Sequence, residues 1–80
     1  MVVIAYDIKD EKRLRRVAKY LEEHGIRAQR SVFEVDMSVK KAKEIFGGLK
    51  EFLADGDKCF LFKVEDKKDI KAKTDIERIL

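Results

Sequence analysis

The chain has 80 residues, 19 of them Lys or Arg and 16 Asp or Glu, for a formal charge of +3. A chain of this length makes one domain with a thin core, burying only about 60–65% of its unfolded surface, so a partner chain is expected to complete it. One cysteine forms no disulfide within the chain, no apolar run approaches the roughly 20 residues that cross a bilayer, and no charged leader precedes an apolar stretch, which together predict a cytoplasmic protein without membrane contact.

The first element is the run Val2-Val3-Ile4-Ala5-Tyr6, which reads as a strand covered on both faces and delivers a carboxylate at Asp7. A helix follows from the N-cap Asp10, with Leu14, Val17, Ala18 and Leu21 on one face and Gly25 as its C-cap. Over 26–37 the inward phase changes. Ile26 and Ala28 share one parity, while Phe33, Val35 and Met37 share the other, so a bulge or break falls near 30–32. One bent strand and two short strands both satisfy this pattern. A second helix starts at Ser38 and turns Val39, Ala42, Ile45, Phe46, Leu49, Phe52 and Leu53 inward before ending at Gly56. Gly47 and Gly48 cost that helix about 1 kcal/mol each relative to Ala, which close packing or a kink would explain. The run 58–64 is a further two-sided strand, and Cys59 within it reads as a core thiol in a reducing compartment. The tail alternates at Ile70, Ala72 and Thr74, then spaces Ile76, Ile79 and Leu80 like a half turn of helix.

This order predicts an α+β ferredoxin-like sandwich, one antiparallel sheet backed by two helices, as a single domain over 1–80 with its core in about 1–66 and a tail at 67–80. Two helices cover one face of a sheet. The strands at 2–6 and 58–64 are nevertheless apolar on both parities, so a second copy of the chain is the simplest cover for the other face.

The chemistry concentrates at the end of the first strand. Asp7 stands beside a helix carrying Arg13, Arg15 and Arg16, and an acid at a strand end near guanidinium groups suits a divalent cation held close to a phosphate backbone. The cations cluster at 12–19, 27–30, 40–43 and 67–73, a pattern that fits polyanion binding as well as a solvated surface. Asp10 reads as a helix cap and Asp36 as a strand-end solvent residue. His24 has no companion for a metal cluster or a triad. There is no Gly-rich phosphate loop, zinc finger spacing or nucleophile elbow, which removes the common nucleotide-binding and zinc functions. The 44% of charged residues, with no Asn or Pro and Gln29 alone, is the bias of proteins from hot environments.

From Met1 to Met37, the order YDI, a charged helix ending at Gly25, then R-x-Q-x-SVFE (Arg27 to Glu34) resembles the CRISPR-associated endoribonuclease family Cas2, the small subunit of the spacer-acquisition machinery. The resemblance implies a two-fold homodimer in which a C-terminal strand, here 69–74, pairs with the partner's sheet. It implies that Asp7 lies at the dimer interface as ligand of Mg2+ or another divalent cation and supports metal-assisted phosphodiester hydrolysis. Arg13, Arg15 and Arg16 resemble the family's basic first helix, with Arg16 falling best on its pattern. Arg27 and Arg30 flank Gln29, Tyr6 precedes the aspartate as in the family, and Ser31 with Phe33 completes the signature, both rings reading as core.

Two functions follow, and they can coexist: a scaffold that binds duplex DNA along its backbone and bridges CRISPR integrase subunits, and an endonuclease cutting RNA or DNA, single-stranded RNA included. An unrelated ferredoxin-like small-molecule regulatory or toxin-like module is the alternative, since this fold hosts many functions.

Overall fold

A computed structural model describes residues 1–64 and the backbone of a last strand at 74–78. The elements run β1 (Val2–Asp7), α1 (Glu11–Glu22), β2 (Ile26–Gln29), β3 (Val32–Val35), α2 (Val39–Gly48), a 3-10 turn (Leu49–Phe52), β4 (Lys58–Val64) and β5 (Thr74–Arg78). They form an antiparallel sheet ordered β2-β3-β1-β4-β5, the β-α-β-β-α-β ferredoxin-like arrangement with one added strand. Residues 26–35 are thus two short strands joined by a tight turn at Arg30-Ser31. Hairpin turns of two residues favour positive φ, yet Gly56 alone has it among the described residues. The register instead slips between Arg27 and Gln29, and this bulge takes up the mismatch.

Both helices start as their caps predict. The Asp10 side chain accepts from the Arg13 N–H at 2.9 Å, and Ser38 Oγ accepts from the Lys41 N–H at 3.2 Å. Their inner faces meet one side of the sheet, where Val2, Ile4 and Tyr6 of β1, Phe33 and Val35 of β3, and Cys59 and Leu61 of β4 join Leu14, Val17, Leu21, Ala42 and Phe46 in one core. Burying each of the large apolar side chains stabilises the fold by about 1.5–3 kcal/mol. Burial pushes the Cys59 thiol up to about 12, so it is an inert core residue.

Several local expectations are corrected. Ile26 and Ala28 do not face the core: β2 is an edge strand beyond the helices' reach, and Ile26 is 74% exposed. Gly25 is not a left-handed cap. It lets α1 pass close to β3, where a Cβ would meet the Glu34 carbonyl oxygen and Val35. The second helix stops at Gly48 instead of reaching Gly56, and the chain tightens into the 3-10 turn; a Cβ on Gly48 would strike the Tyr20 hydroxyl, which donates to the Ile45 carbonyl at 2.9 Å. Gly56, at φ +89°, makes the turn into β4.

The tail departs from the expected half turn of helix. Residues 74–78 form a strand where a half turn of helix was expected, because so short a helical segment cannot offset its own nucleation while a strand gains a ladder at once. That strand pairs with β4 of its own chain, Ile76 opposite Phe62 and Thr74 opposite Val64. β4 is otherwise an open edge, and within a single chain its own tail supplies the missing hydrogen bonds. Of the expected pairing segment 69–74, only Thr74 falls within the described residues.

One charge is buried among the described residues. Asp57, 3% exposed, accepts from Arg13 Nε at 2.8 Å and Nη2 at 3.2 Å, and from the Ala54 N–H at 2.9 Å. The Arg13 guanidinium holds the Asp57 carboxyl below the ordinary carboxylate range, against the opposing effect of burial. Because its folded-state pKa is depressed, the pair's contribution is complete above the unfolded pKa and is lost as the pH falls through the folded value. Asp57→Asn should therefore lower the Tm clearly at neutral pH, with the gap to the wild type narrowing in acid. Thermal melts across that range check this, and a gap that stays constant into strong acid would mean that the ion pair is not its source.

Candidate active site and nucleic-acid interface

β1 is the central strand, bonded to β3 on one side and β4 on the other, and this double ladder carries the chain straight to the sheet's end at Asp7, opposite Lys58. Asp7 is exposed and borders a concavity of about 140 Å³ together with Tyr6, Ile8, Leu14, Arg30 and Ser31. Among the described residues, no hydrogen bond or ion pair engages its carboxylate, and no cluster of three or more His, Cys, Asp or Glu side chains gathers to hold a metal ion. One chain thus offers one uncommitted hard oxygen donor. A single carboxylate is by itself a poor Mg2+ site, since the ion takes one or two carboxylates together with water and substrate phosphate.

The wall facing Asp7 is built by the signature residues. The Tyr6 N–H donates to the Ser31 carbonyl at 3.1 Å, and the buried Tyr6 hydroxyl donates to the Arg30 carbonyl at 3.1 Å. Arg27 reaches the same oxygen with Nη2 at 2.7 Å and Nε at 3.2 Å, and its guanidinium lies 5.8 Å from the centre of the Phe33 ring. Phe33, fully buried, stacks with Tyr6 at 6.3 Å between centroids. Tyr6 and Phe33 are therefore core residues, as their apolar setting suggested. Burial raises the Tyr6 phenol above its ordinary pKa, with Arg27 pulling it partly back, so Tyr6 remains a donor at neutral pH.

The expected arginines divide into different roles. Arg30 borders the Asp7 concavity, is 71% exposed on its side chain, and pairs with Glu11 at 2.8 Å. Arg27 is held on the Arg30 carbonyl and pairs with Glu22 at 3.6 Å. Arg13 clamps Asp57 with Nε at 2.8 Å. Arg15 lies along its own helix, with Nε 3.4 Å from the Glu11 carbonyl. Arg16 points out beside Lys19, Tyr20, Glu23 and Phe52, with no ion pair among the described residues. Asp10 is the helix cap, and Asp36 is exposed after β3. Sequence reasoning passed over Glu11 and Asp57. Asp57 had a local cue in the turn Asp55-Gly56-Asp57, but its partner Arg13 is 44 positions away.

A sequence profile described as CRISPR associated protein Cas2 matches residues 1–72. The chain belongs to the Cas2 family. It is 34% identical over 67 residues to the CRISPR-associated endoribonuclease Cas2 of Thermofilum pendens, covering 82% of this chain and 72% of that one. It is 47% identical over 45 residues to the CRISPR-associated endoribonuclease Cas2 3 of Synechocystis, covering 56% of this chain; the match spans about half of that relative, 49%. Among solved structures it is similar to Streptococcus pyogenes Cas2, with a TM-score of 0.71 and 27% identity over 90% of this chain and 94% of that one. A hypothetical protein from Thermus thermophilus superposes with a TM-score of 0.74 and 29% identity, covering 81% and 80%. Membership in the Cas2 family sets aside the unrelated regulatory or toxin-like module and gives the protein a CRISPR-associated role. No helix among the described residues is long and apolar enough to cross a membrane.

Tyr6→Phe keeps the ring stack and deletes one of the donors to the Arg30 carbonyl. The Arg27 donors remain, so the cost should be modest, about 0.5–1.5 kcal/mol, as for a typical hydrogen bond. Urea unfolding checks it, and a loss within error would mean that the Tyr6 hydroxyl adds nothing to the hairpin anchor.

Proposed function

We propose that this Cas2 chain is a CRISPR adaptation protein that binds nucleic acid through its phosphates, bridges integrase subunits during spacer acquisition, and as a homodimer hydrolyses phosphodiester bonds with a divalent cation. The observation that carries the reading is the uncommitted Asp7 carboxylate at the end of the central strand, with the exposed guanidinium of Arg30 on the same concavity. The names of the relatives, CRISPR-associated endoribonucleases, agree with it.

The dimer is supported by the face of the sheet that the helices leave bare. There Val3, Ala5, Ala28, Val32 and Phe62 line a concavity of about 370 Å³, and a second copy is the occupant with matching apolar chemistry. A two-fold axis near the ends of the β1 strands would bring two Asp7 carboxylates to one site.

In the reaction, Asp7 from each copy would hold the cation, which when bound neutralises charge on the phosphodiester and acidifies a water nucleophile. Asp7 would also supply an acceptor able to orient a water at that site. Arg30 presents a planar fork of donors to the phosphate oxygens, and Tyr6 and Arg27 fix the backbone from which that fork extends. Arg16 and Arg15 on the outer surface of α1 extend the contact along the backbone and carry no base-reading chemistry.

Asp7→Asn should preserve fold, dimer and duplex binding while lowering cleavage of RNA or DNA by at least about a hundredfold, the scale of removing one group that stabilises developing charge. Excess chelator should do the same to the wild type. Cleavage assays run beside sedimentation and binding measurements separate the roles: loss of cutting with binding kept supports both scaffold and nuclease, whereas full cutting by Asp7→Asn in chelator assigns the activity to another site.

A further inference from the structure

The ion pair between Arg30 and Glu11 joins the hairpin turn to the first turn of α1, 19 positions apart, directly beside the concavity that Asp7 borders. Its two halves are built differently. The backbone of Arg30 is pinned, since its carbonyl accepts from Tyr6 Oη and from both Nε and Nη2 of Arg27. Its side chain is 71% exposed and that of Glu11 63% exposed, so the pair between them lies in water. A pinned root with a solvated head gives a guanidinium that can exchange partners by rotamer change alone, without movement of the sheet. Exposed carboxylate pairs are weak, and a phosphodiester offers the same fork of donors two oxygens at a full negative charge.

We propose that Glu11 is an internal competitor for phosphate: it holds Arg30 at the rim of the Asp7 site, and a polynucleotide phosphodiester takes its place when substrate binds. Glu11 thereby sets how tightly the site holds nucleic acid. The inference rests on the nucleic-acid reading above and adds to it a residue that opposes binding. Among the described residues, Glu11 is the acid that pairs with Arg30, and the uncommitted Asp7 on the same concavity makes no ion pair with it. Asp10 is occupied as the cap of α1, Asp57 is buried against Arg13, and Glu22 pairs with Arg27, whose own guanidinium is committed to the Arg30 carbonyl.

The test is a double-mutant cycle read by binding, in chelator so that cleavage plays no part. Wild type, Glu11→Gln, Arg30→Ala and the double variant are titrated against a labelled single-stranded RNA and, in a second arm, a labelled duplex DNA, at low and moderate salt. Glu11→Gln should tighten binding about two- to fivefold, the range expected for releasing one exposed pair. In the Arg30→Ala background the same substitution should change affinity markedly less, since only the general effect of one lost negative charge remains. The gain should shrink as salt rises, because salt already screens the pair. Tightening in the RNA arm alone or the DNA arm alone identifies the polymer whose phosphate exchanges with Glu11. Equal gains in both backgrounds would overturn the competitor role while leaving the nucleic-acid reading intact. A wild type that binds neither probe, or an Arg30→Ala and Arg16→Ala pair without effect, would overturn both. Circular dichroism melts of each variant accompany the titrations, and the conservative Arg30→Lys, which keeps the charge without the fork, should retain only part of the response to Glu11→Gln.

Discussion

A single carbonyl oxygen, that of Arg30, accepts hydrogen bonds from Tyr6 Oη and from two nitrogens of Arg27, and this meeting point fixes the hairpin of β2 and β3 against the end of the central strand. The turn at Arg30-Ser31 has no glycine or asparagine to hold its shape, and the strands it joins are four residues each. Its conformation is imposed from outside. Tyr6 brings the constraint from β1, Phe33 stacks beneath it in the core, and Arg27 lies over Phe33 while donating to the same oxygen. Phe33 of the SVFE signature is therefore part of an anchor in the first place, and the anchor leaves Asp7 exposed on one side and the Arg30 side chain on the other.

The same economy applies to the positive charges. A chain with 19 Lys and Arg residues looks uniformly suited to phosphate, but the fold assigns its arginines to distinct tasks. Arg13 neutralises the buried Asp57 and ties α1 to the turn before β4; Arg27 supports a backbone oxygen; Arg16 and Arg30 point outward. Counting cations overstates a binding surface whenever some of them satisfy internal acids. A buried carboxylate left without its guanidinium would carry an uncompensated charge, so losing Arg13 costs the fold more than losing an exposed pair.

The sheet presents two unlike faces. One is sealed by α1, α2 and the 3-10 turn; the other keeps an apolar concavity floored by Val3, Ala5 and Phe62. For a domain this small, covering that second face adds apolar burial that its own two helices cannot supply. The strand β5 paired to β4 within the chain is one solution to the open edge.

Much of the fold was legible in the sequence, because the signals that specify it are local. Short continuous apolar runs at 2–6 and 58–64, helical spacing after Asp10 and Ser38, and the phase change before Phe33 each act over a few residues, and together they determine the ferredoxin-like order. Asp7 could be singled out in the same way, as the first charge after an apolar strand. The tertiary structure alone decided matters that depend on distant partners: that Arg13 belongs to Asp57 and Arg30 to Glu11, that Gly25 and Gly48 serve close approach, that Ile26 faces solvent on an edge strand, and that the tail extends β4 of its own chain. Periodicity records which side of an element is apolar, while the choice of ion-pair partner or neighbouring strand is a competition among groups far apart in sequence, settled only when the chain has folded and their distances are set.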